Sequence, residues 1–317
     1  MNGKVIAAYT IIIVAWGSAF AGIKAALGSY SPEHLALLRL LIGSTTLIIF
    51  AAVKKIKLPD VKDIPVILLL GFLGFTVYHS ALNYGEQMVS AGIASLLVST
   101  APIFSAVLAA AFLKEKFTKA GWIGSLIAFS GVALISFGTG HTQTAYFIGI
   151  LFIITAALGE SFYFVYQAKY LRKYGFIAFT VYTIIAGTLF MLPFLPGLGR
   201  EVLAASAGST IAVIYLGLIP TVLPYLALAY ITSKVGASEA TSSLYLTPAA
   251  ALIISWLMLG EIPTMISLAG GVLTLIGVGV IQRKAPKQEH EVPSKVMARE
   301  ITVELVNKKY KKASESN

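Results

Sequence analysis

The sequence predicts an all-α integral membrane protein with ten transmembrane helices, arranged as two inverted five-helix repeats. Three observations predict this fold class: an apolar composition, ten long apolar stretches, and a residue pattern that recurs 146 positions further along the chain. Of the 317 residues, 57% are hydrophobic and only 12% are charged, with a mean hydropathy of +0.83. Because soluble domains carry roughly 25% charged residues, this composition excludes a soluble enzyme and a disordered chain.

Ten stretches are long and apolar enough to span a bilayer, since a helix needs about 20 such residues to cross the hydrocarbon core. They lack the alternating pattern of a membrane barrel, and backbone groups at that depth must pair within each segment. We therefore expect α-helical spans, the first of which is too long for a cleaved signal peptide. The expected spans lie near 5–26, 35–53, 64–84, 89–112, 120–137, 146–167, 177–196, 209–231, 238–258 and 264–281.

The basic residues divide unevenly between the two sides of the membrane. Alternate span ends, including both termini, hold 21 of the 24 Lys and Arg residues, whereas the opposite loops hold only Arg200. Because cytoplasmic loops attract Lys and Arg, we expect a multi-pass protein of the cell membrane with both termini in the cytoplasm. The positive charge is then topological, and nucleic acid is not an expected partner.

A set of residues that recurs at an offset of 146 divides the chain into two halves. Residues 1–140 and 146–282 each hold five spans, and residues 283–317 form a basic tail expected in the cytoplasm. Five is odd, so the second half enters the membrane from the opposite side. Inverted repeats of this kind are typical of secondary transporters that work by alternating access. The matched pairs are Gly71 and Gly217, Tyr84 and Tyr230, Pro102 and Pro248, Glu115 and Glu261, Gly124 and Gly270, and Gly131 and Gly277.

Several short motifs follow one another in a fixed order. They are WGSAF (16–20), SP…LLRLL (31–41), ALNY…AGIASLL…AP (81–102) and KEKFT…G (114–121), with a second-half copy of the last that ends in GE (260–261). On these residues the chain resembles EamA-type members of the drug/metabolite transporter superfamily, from Tyr9 to Ile281. The resemblance implies ten helices, a central cavity between the halves, and export of small metabolites or drugs.

Glu160 is the strongest candidate for chemistry because it lies inside the sixth span. An ionisable group at the centre of a span costs about 2.5–3.5 kcal/mol on insertion scales and therefore tends to face a cavity. A cavity carboxylate can exchange a proton or pair with a cationic substrate, so Glu160 is the candidate for proton coupling. The structural alternative is a carboxyl group that is hydrogen-bonded to a neighbouring helix.

His79 and Asn83 lie one turn apart in the third span, on a polar stripe that also holds Thr76 and Glu86. We expect this stripe to line the outward half of a pathway, or alternatively to bond one helix to the next. The repeat places Tyr225 at the position of His79, so both are candidates for a polar rim of the cavity.

Aromatic side chains form a further set of cavity candidates. Trp16 and Tyr163 flank the segments WGSAF and LGESF, which match at an offset of 142, and the resemblance places the first segment, with Ser18, at the cavity. An aromatic cavity suits organic cations, which bind to ring faces. Aromatic residues in spans also serve as packing or interface anchors. Tyr225 and Tyr245 complete this set.

Pro102 and Pro248 occupy matched positions in the fourth and ninth spans. Proline removes a backbone hydrogen bond and loosens a helix locally, so both are candidate hinges, with a static kink as the alternative. Ser99 is close enough to satisfy a freed backbone group and is also a cavity candidate.

Two further patterns concern packing and the membrane surface. Small residues line one face of the fifth span and one face of the tenth, and such faces let helices approach closely. Lys24 and Arg39 lie near the outer ends of the first two spans, where long basic side chains extend toward the interface. For Arg39 the resemblance adds a role at the outer mouth as an alternative.

Taken together, these features predict secondary transport, with export of a small organic metabolite, amino acid or drug, either by proton antiport or without coupling. The expected partners are a small-molecule substrate, the lipid bilayer and, for antiport, protons, with no cofactor. A nucleotide-binding P-loop motif is missing from the sequence, and the four histidines are too scattered for a metal site, so neither an enzyme nor a metal centre is expected. The alternative function is a membrane interaction protein without transport, or a channel-like pore.

Overall fold

The computed structural model describes residues 3–112, 119–137, 144–235 and 246–283. Within these ranges all regular structure is helical and no strand is present. Glu115, Tyr245 and residues 284–317 lie outside the described residues. The α-helices are α1 (Gly3–Ala26), α2 (Pro32–Val53), α3 (Ile64–Gly71), α4 (Tyr78–Met88), α5 (Ala91–Val98), α6 (Ala101–Phe112), α7 (Lys119–Phe137), α8 (Thr144–Tyr174), α9 (Phe176–Met191), α10 (Leu198–Ala204), α11 (Ala207–Leu218), α12 (Leu223–Val235), α13 (Thr247–Leu259) and α14 (Met265–Arg283).

Seven segments of the described chain are long and apolar enough to cross a membrane. The other three predicted stretches correspond to shorter apolar helices, Lys119–Ile135, Thr247–Leu259 and Met265–Gly277. The seven longer segments are Ile6–Ala26, Pro32–Val53, Val61–Met88, Ala91–Phe112, Thr144–Gln167, Ile177–Phe194 and Ala207–Leu228.

The ends of α2 follow from residues that favour helix termini. The Ser31 hydroxyl accepts a hydrogen bond from the backbone N–H of His34 over 3.4 Å, and Pro32 occupies the first turn, where no N–H is needed. At the other end, Lys55 has a φ of 53°, which does not continue a right-handed helix. Because α2 begins at Pro32, Arg39 lies two turns inside it.

The third and eighth spans are irregular at the same position of the repeat. Between α3 and α4 the chain forms a π-helical segment, Phe72–Val77. Between α11 and α12 the helix breaks over residues 219–222, which fall within the repeat equivalent of that segment. Such irregular segments free backbone groups for other partners and are frequent at functional sites.

The fourth span is also broken, over residues 99–100 between α5 and α6. Pro102 is the second residue of α6, and Pro248 is the second residue of α13. In the first turn of a helix a proline removes no internal hydrogen bond. In the fourth span the irregularity therefore lies before Pro102 and not at the proline itself.

The small-residue faces of the fifth and tenth spans pack directly on each other. A methyl group added at Gly131 would collide with the backbone of Gly270, and one added at Gly277 would collide with the carbonyl of Gly124. Since early residues of α7 meet late residues of α14, these two helices run antiparallel. The predicted close packing is confirmed, and it lies within the chain.

A second contact is repeated between the halves. Gly43 on α2 packs against Thr221, and Gly187 on α9 packs against Phe75. Phe75 precedes Thr221 by 146 residues, so α9 packs on the third span in the way that α2 packs on the eighth. Each half therefore packs one of its helices against the irregular span of the other half.

Candidate functional site

An aromatic cluster lies inside the bundle, built from α1, the π-helical segment, α8 and α12. Phe75 is fully buried, and its ring centroid lies 5.1 Å from that of Tyr163 and 5.5 Å from that of Tyr225. Trp16 adds an edge contact, with its ring centroid 5.4 Å from that of Tyr225. The structure therefore brings together the predicted residues Trp16, Tyr163 and Tyr225, and both halves of the chain contribute.

Two buried groups of opposite charge accompany this cluster. Glu160 on α8 is 8% exposed and Arg39 on α2 is 3% exposed. They interact electrostatically with each other and with Tyr225. Among the described residues no ion pair within 4.0 Å involves either group, and none donates a hydrogen bond to the Glu160 carboxylate. Both charges therefore keep hydrogen-bonding capacity for another molecule.

Arg39 does not lie at the membrane surface, so that expectation was wrong. Its Nε donates to the hydroxyl of Thr221 over 2.9 Å, and its Nη1 has no partner in the described part of the chain. The hydroxyl of Thr221 itself donates to the carbonyl of Leu216 over 2.8 Å. Arg39 is held inside because α2 starts at Pro32 and turns this position toward the break between α11 and α12.

Trp16 stabilises the same helix break from the other side. Its indole N–H donates to the carbonyl of Pro220 over 3.2 Å. This carbonyl has no helical donor four residues on, because residue 224 is a proline and has no N–H. The nitrogen of Trp16 is therefore used within the protein. What Trp16 offers to a ligand is its ring.

His79 lies at the edge of the aromatic cluster. It is 1% exposed, and its ring centroid lies 6.2 Å from that of Phe75 and 5.0 Å from that of Tyr78. Neither ring nitrogen has a hydrogen-bond partner among the residues that the structure describes. Asn83, one turn further on, is fully buried and donates from Nδ2 to the carbonyl of Pro32 over 2.9 Å. His79 therefore faces the cluster, whereas Asn83 bonds α4 to the start of α2.

Other predicted site residues form their hydrogen bonds elsewhere. The hydroxyl of Ser18 lies 2.6 Å from that of Tyr215 and joins α1 to α11. The hydroxyl of Ser99 donates to the carbonyl of Ser95 over 2.9 Å, at the end of α5. Tyr245 lies outside the described residues.

Sequence reasoning missed two residues beside the buried charges. Tyr78 interacts electrostatically with both Arg39 and Glu160, and Thr221 accepts the Arg39 hydrogen bond. The Pro220–Thr221 pair inside an apolar stretch is the sequence signal of the break. Within the described ranges, no three His, Asp or Glu side chains converge as metal ligands would.

Lys24, near the outer end of the first span, uses its ammonium group within the protein. Its ammonium group donates to the backbone carbonyls of Glu86 and Val89, the latter over 2.8 Å. These carbonyls end α4, where a cation is favourable because helix C-termini carry partial negative charge. Lys24 therefore fixes α1 to the end of α4.

At the lysine-rich end of the bundle, an ion-pair network joins the segment before α3 to the end of α8. Lys173, near the end of α8, forms ion pairs with Asp60 and Asp63, and the hydroxyl of Tyr174 donates to Asp63. Hydrogen bonding to Asp60 and Asp63 raises the pKa of Lys173 above its ordinary value, so this lysine stays charged at physiological pH. We call these four residues the basic-end network.

A second network joins the start of α2 to α10 at the opposite end. The backbone N–H of Ser31 donates to Glu201 Oε2 over 3.0 Å. His34 Nδ1 lies 2.9 Å from the same oxygen, but the ring N–H does not point along a hydrogen bond to it. His34 Nε2 lies 3.2 Å from the carbonyl of Pro196. Since both ring nitrogens face oxygen atoms, this geometry fits a doubly protonated ring. We call Ser31, His34 and Glu201 the opposite-end network.

The carboxyl group of Glu201 is held in its charged form by this network. Burial raises the pKa of Glu201, but the hydrogen bond from the Ser31 backbone and the charge of His34 outweigh that effect. The pKa of Glu201 therefore lies below its ordinary value.

Fold and site together define a helical membrane protein whose buried charged and aromatic site is shared between two halves. The chain belongs to the EamA-like transporter family, whose pattern it matches twice, over residues 4–137 and 147–283. The family predicted from the motifs is confirmed. The protein is therefore a multi-pass membrane transporter and not an enzyme.

Relatives and a solved structure agree with this assignment. The chain is 59% identical over 275 residues to the uncharacterized transporter YdfC of Bacillus subtilis, covering 87% of this chain and 90% of that protein. It is 35% identical over 288 residues to a probable terminal-alkyne amino-acid exporter of Streptantibioticus cattleyicolor, covering 91% and 96%. A protein crystal structure with 16% identity has a TM-score of 0.60 over 91% of this chain and 100% of that one, which supports the fold alone.

Proposed function

We propose that the protein exports amino acids with apolar side chains across the cell membrane by alternating access, in exchange for protons. The observation that carries this proposal is the buried pair Arg39 and Glu160 beside the aromatic cluster. An amino acid carries a carboxylate, an ammonium group and a side chain. Arg39 offers an unpartnered Nη1 to the carboxylate, Glu160 offers a carboxylate to the ammonium group, and the aromatic rings offer apolar surface.

One relative bears on the substrate and the direction. The name of the Streptantibioticus cattleyicolor protein specifies an amino acid and export, and this protein is similar to the chain over nearly its whole length. A zwitterionic substrate fits a site with one buried cation and one buried anion better than a simple organic cation would. We therefore place amino acids first among small metabolites and drugs.

The architecture we propose has ten transmembrane helices in two inverted repeats, 1–140 and 146–282. The antiparallel packing of the repeat-equivalent helices α7 and α14 supports inversion. Both termini and the tail 283–317 are assigned to the cytoplasm, because the lysine-rich loops lie on that side. The irregular segments 72–77 and 219–222, with the candidate hinges Pro102 and Pro248, are where we expect the halves to bend.

The two loop networks fit the two gates that alternating access requires. The basic-end network would close the cytoplasmic side, and the opposite-end network would close the outer side. Each connects the first half of the chain to the second, so separating the halves at one end breaks that network while the other stays formed. With both networks intact, this structure represents a closed intermediate of the cycle.

Proton coupling is assigned to Glu160. A buried carboxylate without a direct partner is costly, so Glu160 is expected to take up a proton when the substrate ammonium group has left. Protonation and substrate binding then exclude each other at this carboxyl group, which is the condition for antiport. Arg39 stays charged throughout and keeps the substrate carboxylate oriented.

The test is efflux from proteoliposomes loaded with a mixed pool of amino acids and small amines, with and without an imposed pH gradient. We expect saturable efflux of apolar amino acids that the gradient accelerates, loss of this acceleration in Glu160→Gln, and wild-type behaviour in the control Glu33→Gln. Saturable efflux that ignores the gradient would refute proton coupling. Efflux that does not saturate would indicate a pore, and no efflux of any pool member would refute the substrate class.

A further inference from the structure

A second carboxyl group, Glu86 on α4, is buried without a direct partner. It is 0% exposed, and neither carboxylate oxygen accepts a hydrogen bond from any residue that the structure describes. An unpaired charge in such a position is strongly unfavourable, whereas its neutral form is tolerated. In this closed state the group therefore requires a proton or another bound cation.

The charged neighbours of Glu86 do not neutralise it directly. Lys24 on α1 and Arg39 on α2 interact with it electrostatically, and so do Glu261, which follows α13, and Tyr78 on its own helix. Lys24 directs its ammonium group to backbone carbonyls at the end of α4 and forms no ion pair with the Glu86 carboxylate within 4.0 Å. Glu261 adds a like charge, which increases the cost of a charged Glu86.

Asn83 supplies a hydrogen-bond acceptor for a protonated Glu86. It lies one helical turn before Glu86 on the same face of α4. Its Oδ1 is buried and has no hydrogen-bond partner among the described residues, because its Nδ2 alone is used, at the carbonyl of Pro32. A protonated carboxyl group has one O–H donor and an amide oxygen is an acceptor. One proton would therefore satisfy two unpaired groups at once.

We propose that Glu86 is a second proton-binding site of the transporter, protonated in the closed state and hydrogen-bonded to Asn83 Oδ1. The proposal rests on the proposed function, since it extends proton coupling from one carboxyl group to two. Arg39 interacts with both Glu86 and Glu160, so protonation at one site changes the field at the other. Asn83 connects the site to Pro32 at the start of α2, beside the opposite-end network.

A proton fits this site better than a metal cation does. Hard cations such as Ca²⁺ and Mg²⁺ take about six or more oxygen ligands, and monovalent ions also need several. Among the described residues, Glu86 and Asn83 are the ones that offer buried side-chain oxygen atoms without partners at this position. A proton needs only one carboxylate oxygen to bind to and one acceptor oxygen to hydrogen-bond to.

The experiment is infrared difference spectroscopy of the purified full-length protein in lipid, titrated with acid and base. A protonated carboxyl group absorbs apart from a carboxylate, so each site gives its own band. We expect loss of one band in Glu86→Gln and loss of a different band in Glu160→Gln. Both bands should remain in the control Glu33→Gln, which removes a carboxylate that accepts from Tyr84 over 2.8 Å. Removing the acceptor in Asn83→Ala should shift the Glu86 band.

The outcomes separate this inference from the proposed function. A Glu86→Gln spectrum identical to that of the wild type overturns the inference, and so does disappearance of the Glu86 band on adding sodium at constant pH, which would identify a metal cation as ligand. Absence of any band assigned to Glu160 refutes proton coupling there and leaves the Glu86 result readable. If Glu86→Gln fails to fold, Glu86→Asp retains a carboxyl group and must shift the band.

Discussion

Arg39 donates a hydrogen bond from Nε to the hydroxyl of Thr221, 2.9 Å away, and so joins the first half of the chain to a break in the second. Thr221 lies in the turn over residues 219–222, between α11 and α12. The same arginine interacts electrostatically with Glu160 and Glu86. A change of charge at either carboxyl group therefore changes the electrostatic interaction with Arg39, the residue that bonds to the break. In the proposed function, Arg39 thereby connects substrate binding to bending of the eighth span.

The first prediction concerns this hydrogen bond. In Arg39→Lys the charge remains, but the planar group that donates to Thr221 and to a substrate carboxylate is lost. A hydrogen bond from a charged group contributes about 1.5–3 kcal/mol, so we expect substrate affinity to fall roughly 10- to 100-fold. The measurement is the concentration dependence of efflux from proteoliposomes.

Two substitutions at Thr221 provide the control for Arg39→Lys. Thr221→Ser keeps the hydroxyl acceptor and should transport like the wild type, whereas Thr221→Val keeps the shape and should lose part of the affinity. Equal affinity in Thr221→Val and the wild type would show that the hydrogen bond does not contribute to substrate binding.

The sequence was sufficient to predict an all-helical membrane protein and to single out three residues of the aromatic cluster. Apolar stretches of about 20 residues set the helices, and Trp16, Tyr163 and Tyr225 are found together as predicted. Glu160 was recognisable because a charge inside an apolar span is costly. In each case the signal is local, because it consists of one residue type within an apolar stretch of the sequence.

What could not be predicted depends on partners from distant segments. Arg39 was assigned to the interface because its distance from the span end was known but the direction of its side chain was not. Ser18 was predicted to line the cavity, but its hydroxyl bonds to that of Tyr215, 197 residues away in the sequence. Asn83 is similar, since its partner Pro32 lies on another helix. These pairings depend on where each helix lies within the bundle. The spacing of residues along one helix does not give that position.

The second prediction concerns the contact between α7 and α14. In Gly277→Ala the new methyl group would collide with the Gly124 carbonyl and with Ala128, and such overpacking costs about 1–3 kcal/mol. We expect a lower melting temperature in detergent. The matched control is Gly279→Ala on the same helix, where a methyl group meets open space. A control that is destabilised as much as Gly277→Ala would contradict the close-packing explanation.

The third prediction uses the absence of native cysteines from the sequence. The hydroxyls of Ser29 and Ser206 lie 3.4 Å apart and join the loop after α1 to the start of α11, close to the opposite-end network. In the double variant Ser29→Cys with Ser206→Cys, oxidation should form a disulfide, because the two side chains face each other and a small shift brings the sulfur atoms to a bond length of about 2 Å. If this end is a gate, oxidation abolishes transport and a thiol reductant restores it.

The controls for the cysteine pair are its two single variants. Neither can form an intramolecular disulfide, so oxidation should leave their transport unchanged. Full transport by the oxidised double variant, with disulfide formation verified by mass spectrometry, would show that these loops need not separate during the cycle.

The last prediction concerns the pH dependence of the opposite-end network. Because the pKa of Glu201 lies below its ordinary value, this carboxylate stabilises the folded protein at pH values above the ordinary carboxyl range, and the contribution disappears as the pH falls through the lowered pKa. At alkaline pH the neutral ring of His34 can donate from only one nitrogen, so the charge interaction with Glu201 weakens. The stability difference between wild type and Glu201→Gln should therefore be largest at mildly acidic to neutral pH and shrink in both directions.

Melting temperatures of the two proteins across a pH series test this profile, and His34→Gln should remove the alkaline decline while leaving the acidic one. A wild-type advantage that stays constant across the series would show that Glu201 acts through packing and not through its charge.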